Sequence, residues 1–186
     1  GVWADGQFAW IEDPSWTRQL RYKPDTLVTE VRLVNERLGL ELMCHDAVDC
    51  HEPVYLRKCV VRDLLGRPRD VRVFFHIDPS IRGSPVGDTA NYDPGTTSVV
   101  VYKEDAYFLL NACDAHKCGI DHWAIGTKRL GGAEGTWRDA EDGQLGRNAI
   151  SQGSIDATVG FNLQVPANGE AYVTTWIACG HSYNDV

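Results

Sequence analysis

Apolar and polar residues alternate along most of this chain in short runs, and the runs are rich in β-branched and aromatic side chains. Strict alternation places successive side chains on opposite faces of an extended segment, so each run predicts a strand with one buried face. A first set comprises TLVTEVRLV (26–34), GLELMCH (39–45), VYLRKCVV (54–61) and VRVFFHI (71–77). A second set comprises TSVVVYK (97–103), AYFLLN (106–111), HWAIG (122–126), IDATVGFNL (155–163) and AYVTTWIAC (171–179). The opening GVWADGQFAWIEDP adds a strand or hairpin. The links LGRPRD, KED and PANGE are short enough to join neighbouring antiparallel strands. No window of about 12 residues carries a helical stripe, and WRDAED supplies one or two turns at most. The expectation is an all-β chain folded as a two-sheet sandwich or barrel, with few or no helices.

At 186 residues the chain suits one domain with a sizeable core, and a single domain over 1–186 is expected. Its 43% hydrophobic content and lack of any apolar run near 20 residues leave no candidate membrane helix, so no membrane partner is expected. A formal charge of −8 speaks against a phosphate-binding surface and hence against nucleic acid as a partner. The first residue is Gly1, and the chain has the look of an excised piece; a leader could precede it. The compartment stays open, with the cytoplasm favoured over secretion.

Two long segments interrupt the strands: DPSIRGSPVGDTANYDPGT (78–96) and a glycine-rich stretch with its flanks (127–154) that contains GGAEGTWRDAEDGQLGRN (131–148). Function is expected there, because long ordered loops on a β framework are usually functional or interfacial. In the second, Glu134, Asp139, Glu141 and Asp142 could supply an acid–base pair or hard oxygen ligands for calcium. Glycine and aspartate are also what an ordered surface loop requires. The carboxylate spacing misses the alternating pattern of a calcium loop, so the loop reading is preferred: Thr136 caps a turn that ends at Gly143, and Trp137 packs beneath it.

The six cysteines (Cys44, Cys50, Cys59, Cys113, Cys118, Cys179) follow no disulfide framework, and mostly free thiols are expected. For zinc, Cys113, His116 and Cys118 come nearest to a ligand set, but no C-x2-C pair accompanies them. No metal and no cofactor are assigned.

The stretches GVWADGQFAWIEDP, PDTLVTEVRLVNERLGLEL, VRVFFHIDPSIRGSPVGDTANYDP, GGAEGTWRDAEDGQLGRNAISQGSIDATVGFNL and TTWIACGHSYNDV together resemble the N-terminal domain of glycoside hydrolase family 15, the glucoamylase and glucodextranase family. The resemblance implies an antiparallel super-sandwich of two large sheets, of the galactose mutarotase-like kind. This sandwich precedes a catalytic (α/α)6 barrel in which two glutamates drive inverting hydrolysis of α-glucosidic bonds. Inversion needs carboxyls about 6.5–9.5 Å apart across a sugar pocket. None of that family's catalytic positions falls in this chain, and no catalytic residue is assigned. The expected role is folding and docking of the barrel. The interface is expected to draw on Asp88, Thr89, Tyr92 and Asp93 from the first loop, and on Trp137, Arg138, Asp139 and Asp142 from the second. The alternative is a carbohydrate-binding module that stacks an α-glucan on Trp16 and Trp137.

Overall fold

In the computed structural model of the chain, residues 1–128, 131–132 and 134–186 are described. Fourteen strands run in the order β1 (Val2–Ala4), β2 (Gln7–Ala9), β3 (Thr17–Tyr22), β4 (Thr29–Asn35), β5 (Leu40–Val48), β6 (Val54–Asp63), β7 (Arg69–Ile77), β8 (Asp88–Asp93), β9 (Ser98–Lys103), β10 (Ala106–Cys113), β11 (His122–Thr127), β12 (Ile150–Gly153), β13 (Ile155–Val165) and β14 (Glu170–Gly180). They form a five-stranded sheet, β11-β13-β7-β1-β2, and a nine-stranded sheet, β12-β8-β9-β10-β14-β6-β5-β4-β3. Every strand pairing among the described residues is antiparallel. The all-β two-sheet sandwich is therefore as expected.

Alternation explains the core. In β13 Ile155, Ala157, Val159, Phe161, Leu163 and Val165 all enter one buried cluster, which they share with Val71 and Val73 of β7, Leu40 and Leu42 of β5, and Cys59 and Val61 of β6. Residues of opposite parity face away from the sandwich, and on the small sheet this outer face is covered as well. Phe74, on the far side of β7 from Val73, belongs to a second cluster with Ala124, Ala140 and Leu145. The Phe74 ring lies against Gly160, its partner in the β7–β13 register, where an added Cβ would come within 2.7 Å of the ring.

Several expectations need correction. The edge strand β3 was not anticipated; every residue in it is exposed, so it has no alternation of burial to betray it. β8 and β12 lie inside the two segments read as long loops. Of the three short links only KED joins paired strands, β9 and β10. LGRPRD and PANGE instead carry the chain from one sheet to the other, because loop length alone does not distinguish a neighbour at about 5 Å from a facing sheet at about 10 Å.

Both crossings meet at Asp63. Its buried carboxylate accepts the backbone N–H groups of Leu65 (3.1 Å) and Arg67 (3.0 Å) in the first link and of Asn168 (3.2 Å) in the second. Arg69, equally buried, lies 3.5 Å from Asp63 and 2.7 Å from Asp5 and donates to the Leu38 carbonyl at 2.9 Å.

One pair of cysteines departs from the expectation of mostly free thiols. Cys113 and Cys118 form a disulfide across the turn that leaves β10, where a lone bridge pairs the two residues. Their five-residue separation closes a tight loop, and short-range pairing of this kind does not need a framework spacing. Cys44, Cys50, Cys59 and Cys179 are free.

Candidate functional site

Residues 134–148 of the glycine-rich stretch form a lid over the outer face of the small sheet. Within it Thr136–Asp142 forms a 3-10 helix that starts after Gly135 and ends at Gly143 in the left-handed region. Thr136 is not the cap that was expected. It is instead held by Asp156 of β13, whose Oδ2 accepts both the Thr136 backbone N–H and, at 3.0 Å, its hydroxyl. A carboxylate at exposed helical N–H groups is a favourable cap even when it comes from another element. Gly143 ends the helix as expected: its φ is 84°, and an added Cβ would stand 2.7 Å from the Trp3 ring. Arg72 donates to the Gly143 carbonyl and stacks over Trp3 at 4.5 Å. Ala140 and Leu145 turn inward onto Phe74, and Trp3, Phe8 and Trp10 close the cluster around them. Further along, Arg147 donates its N–H to Trp123 of β11, and Ala149 accepts from Tyr92 of β8, so the end of the stretch seams the two sheets together.

The four carboxylates that could have formed a catalytic pair or a calcium site have local partners. Glu134 pairs with Arg138 at 2.5 Å and Glu141 pairs with it at 3.5 Å. Asp139 accepts the Gly146 N–H at 2.6 Å, and Asp142 accepts the Gln144 N–H at 2.8 Å. Among the described residues no group of three or more His, Cys, Asp or Glu side chains is placed to hold a metal ion. The Cys113–Cys118 bond removes the two thiolates from the zinc set that included His116.

A recess of about 480 Å³ opens beside the lid, lined by Trp10, Glu12, Arg57, Phe75, His76 and Trp137. Trp137 is half-buried. Its indole N–H donates to the Glu134 carbonyl at 3.1 Å, its ring meets Trp10 edge-on at 6.5 Å, and the Arg138 guanidinium lies 4.6 Å from its centre. Behind His76 runs a chain of hydrogen bonds in 3.0 Å steps, from His76 Nδ1 to Thr158 Oγ1, on to Thr136 Oγ1 and then to Asp156 Oδ2. Burial pushes the His76 imidazole below its ordinary range, outweighing the opposite pull of Asp156, so the ring is neutral at pH 7. Arg57 is fixed by a two-pronged contact with Asp46 at 2.6 and 2.8 Å. Burial alone would raise the Asp46 carboxyl, but the Arg57 contact holds it below its usual range. The Trp10 indole nitrogen and Asp156 Oδ1 are buried without a hydrogen-bond partner among the described residues.

The residues singled out from the sequence do not gather in one place. Trp137, Arg138, Asp139 and Asp142 share the lid helix; Trp137 is half-buried and the other three are exposed. Asp88 and Thr89 are buried inside the sandwich, where Asp88 accepts the Ile81 N–H at 3.3 Å and lies 3.6 Å from Lys103, so neither side chain is available to an interface. Tyr92 turns inward and stacks on Trp123 at 3.6 Å, which bridges the two sheets. Asp93 closes the turn between β8 and β9. Hydrogen bonds from the Thr96 hydroxyl and from Tyr183, at 2.5 and 2.6 Å, bring its carboxyl down to about 2.

Trp16 is a correction to the sugar-platform reading: it is 4% exposed, because the turn closed by its N–H on the Asp13 carbonyl swings the indole into the main core. His76 and Asp156 were missed. The parity of VRVFFHI, which sets Phe74 and His76 against Val71 and Val73, was the signal for an occupied outer face.

Neither a protein-family model nor a curated protein sequence matches the chain. Solved structures match it in fold. A bacterial glucoamylase complexed with acarbose superposes with a TM-score of 0.68 at 12% identity, over 92% of this chain and 25% of that one. A heparinase III gives 0.55 at 10% identity, over 99% and 24%. Heparan sulfate lyase HepC from Pedobacter heparinus gives 0.52 at 7% identity, over 90% and 22%. The chain thus spans about a quarter of the length of each of these proteins, and what it has in common with that part of them is the antiparallel β-sandwich fold.

Proposed function

We propose that this chain is the non-catalytic sandwich domain of a glucoamylase-type glycoside hydrolase, and that it docks and supports the folding of a catalytic (α/α)6 domain on the same polypeptide. The observation that carries this reading is the fold likeness to a quarter of a glucoamylase over nearly the whole of this chain. The lid agrees with it, since each of its carboxylates is engaged locally while its outer surface presents Arg138, Asp139 and Asp142 beside the half-buried Trp137. Interfaces between domains of one chain bury about 600–1,500 Å² and are rather polar, and an aromatic flanked by opposite charges suits such a surface. The docking face is narrowed to this helix, with Asp93 and Tyr92 lending support from within the domain rather than by contact.

The carbohydrate-binding alternative is less well supported. Trp16 is buried, and one face of Trp137 is already covered by Arg138. The test is to produce the catalytic domain separately and add this chain. Thermal stability of the catalytic domain should rise with the wild-type chain and not with Trp137→Ala or Arg138→Ala. Equal rescue by folded lid variants would refute the docking role of the lid.

A further inference from the structure

Cys44 and Cys59 stand directly opposite each other on β5 and β6, with their sulfurs 3.7 Å apart. Opposed residues in an antiparallel pair have Cα atoms about 4.5 or 5.5 Å apart, and both separations lie within the range a disulfide tolerates. The pair differs in access: Cys59 is fully buried in the core, whereas Cys44 is only partly covered. Beside them on the same face of the sheet is the Arg57–Asp46 contact, which stiffens the two strands where they would be joined. From this juxtaposition we infer that Cys44 and Cys59 form a modification site that takes a low-molecular-weight disulfide of the glutathione type and converts the pair to a cross-strand disulfide.

The step balances as two exchanges. The Cys44 thiolate attacks one sulfur of glutathione disulfide, a mixed disulfide forms at Cys44, and one glutathione leaves as its thiolate. Cys59 then loses its proton, its thiolate attacks Cys44 Sγ, and the second glutathione departs. The chain loses two protons and two electrons, and one glutathione disulfide takes them up to become two glutathiones. Roles follow from access and from the thiol–thiol contact. The thiol–thiol contact with Cys59 draws the Cys44 thiol below its ordinary range against the effect of burial, while the same contact and burial push Cys59 up. Cys44 is therefore the attacking thiol and Cys59 the resolving one.

The test uses the chain as it is, incubated with glutathione disulfide, alkylated under denaturing conditions and cleaved at acidic residues, since Asp46 and Asp49 separate Cys44 from Cys50. The expected product is a Cys44–Cys59 linked peptide with no glutathione retained on either residue. In Cys59→Ser the expected product is a stable glutathione adduct at Cys44, and in Cys44→Ser no adduct at Cys59. Exposed Cys50 reports that the reagent is active. Glutathione on Cys50 in the wild-type chain, with Cys44 and Cys59 both recovered as free thiols, would overturn the inference whatever the variants do.

Discussion

Replacing Asp63 with alanine tests how the two sheets are joined. The carboxylate is fully buried and accepts three backbone N–H groups, at 3.0–3.2 Å, from two links, one beginning two residues on and the other reaching it from Asn168, 105 residues away. Hydrogen bonds to a charged acceptor contribute about 1.5–3 kcal/mol each, and removal of one partner leaves the others buried and unsatisfied. Relaxation and water entry recover part of this, and Arg69 keeps Asp5 and the Leu38 carbonyl as partners. The expected loss is therefore about 3–5 kcal/mol, the range for breaking a buried charged contact. That is a large share of the roughly 5–15 kcal/mol by which domains are stable. Guanidinium unfolding at pH 7 should show a lower midpoint with an unchanged slope. Asp63→Asn, which keeps one acceptor oxygen, should fall between Asp63→Ala and wild type. Burial alone would raise the Asp63 carboxyl, but the backbone N–H groups hold it below its usual range. Its contribution is thus present above the unfolded carboxylate pKa and is lost as the pH falls through the folded one. A loss below about 1 kcal/mol for Asp63→Ala, or an acid-side pH dependence in Asp63→Asn undiminished from that of the wild type, would refute the reasoning.

Phe74→Ala should cost about 3–5 kcal/mol, because the ring is 1% exposed and anchors the lid from below; it should also speed tryptic cleavage after Arg138 and Arg147. His76 is held neutral by burial, so the unfolded chain takes up its proton first as the pH falls. Stability should drop from about pH 6.5 downward until the folded His76 titrates, and urea midpoints measured from pH 7.5 to 5 should show a smaller drop in His76→Gln.

The strands that alternation revealed are those with one face in the core, and VRVFFHI shows both the strength and the limit of the signal. Its periodicity located β7 and its inner residues Val71 and Val73, yet Phe74 on the other face is as apolar as the core because a lid covers it. β3 escaped because TRQLRY is exposed throughout at the sheet edge, where Leu20 and Tyr22 remain 70% and 64% accessible. β8 escaped because Asp88 and Thr89, which composition assigns to a loop, are buried polar residues with internal partners. In the lid, the 3-10 turn and its Gly143 terminus were readable. The Asp156 cap was not, because it joins residues 20 apart through tertiary structure.

The central claim is tested most directly by assaying the intact polypeptide and this chain side by side on α-glucans. The expected result is glucose release by the intact polypeptide and none by this chain alone. Glucose release by this chain that a single carboxylate substitution abolishes would contradict the account. So would an intact polypeptide that is inert on α-glucosides and cleaves heparan sulfate.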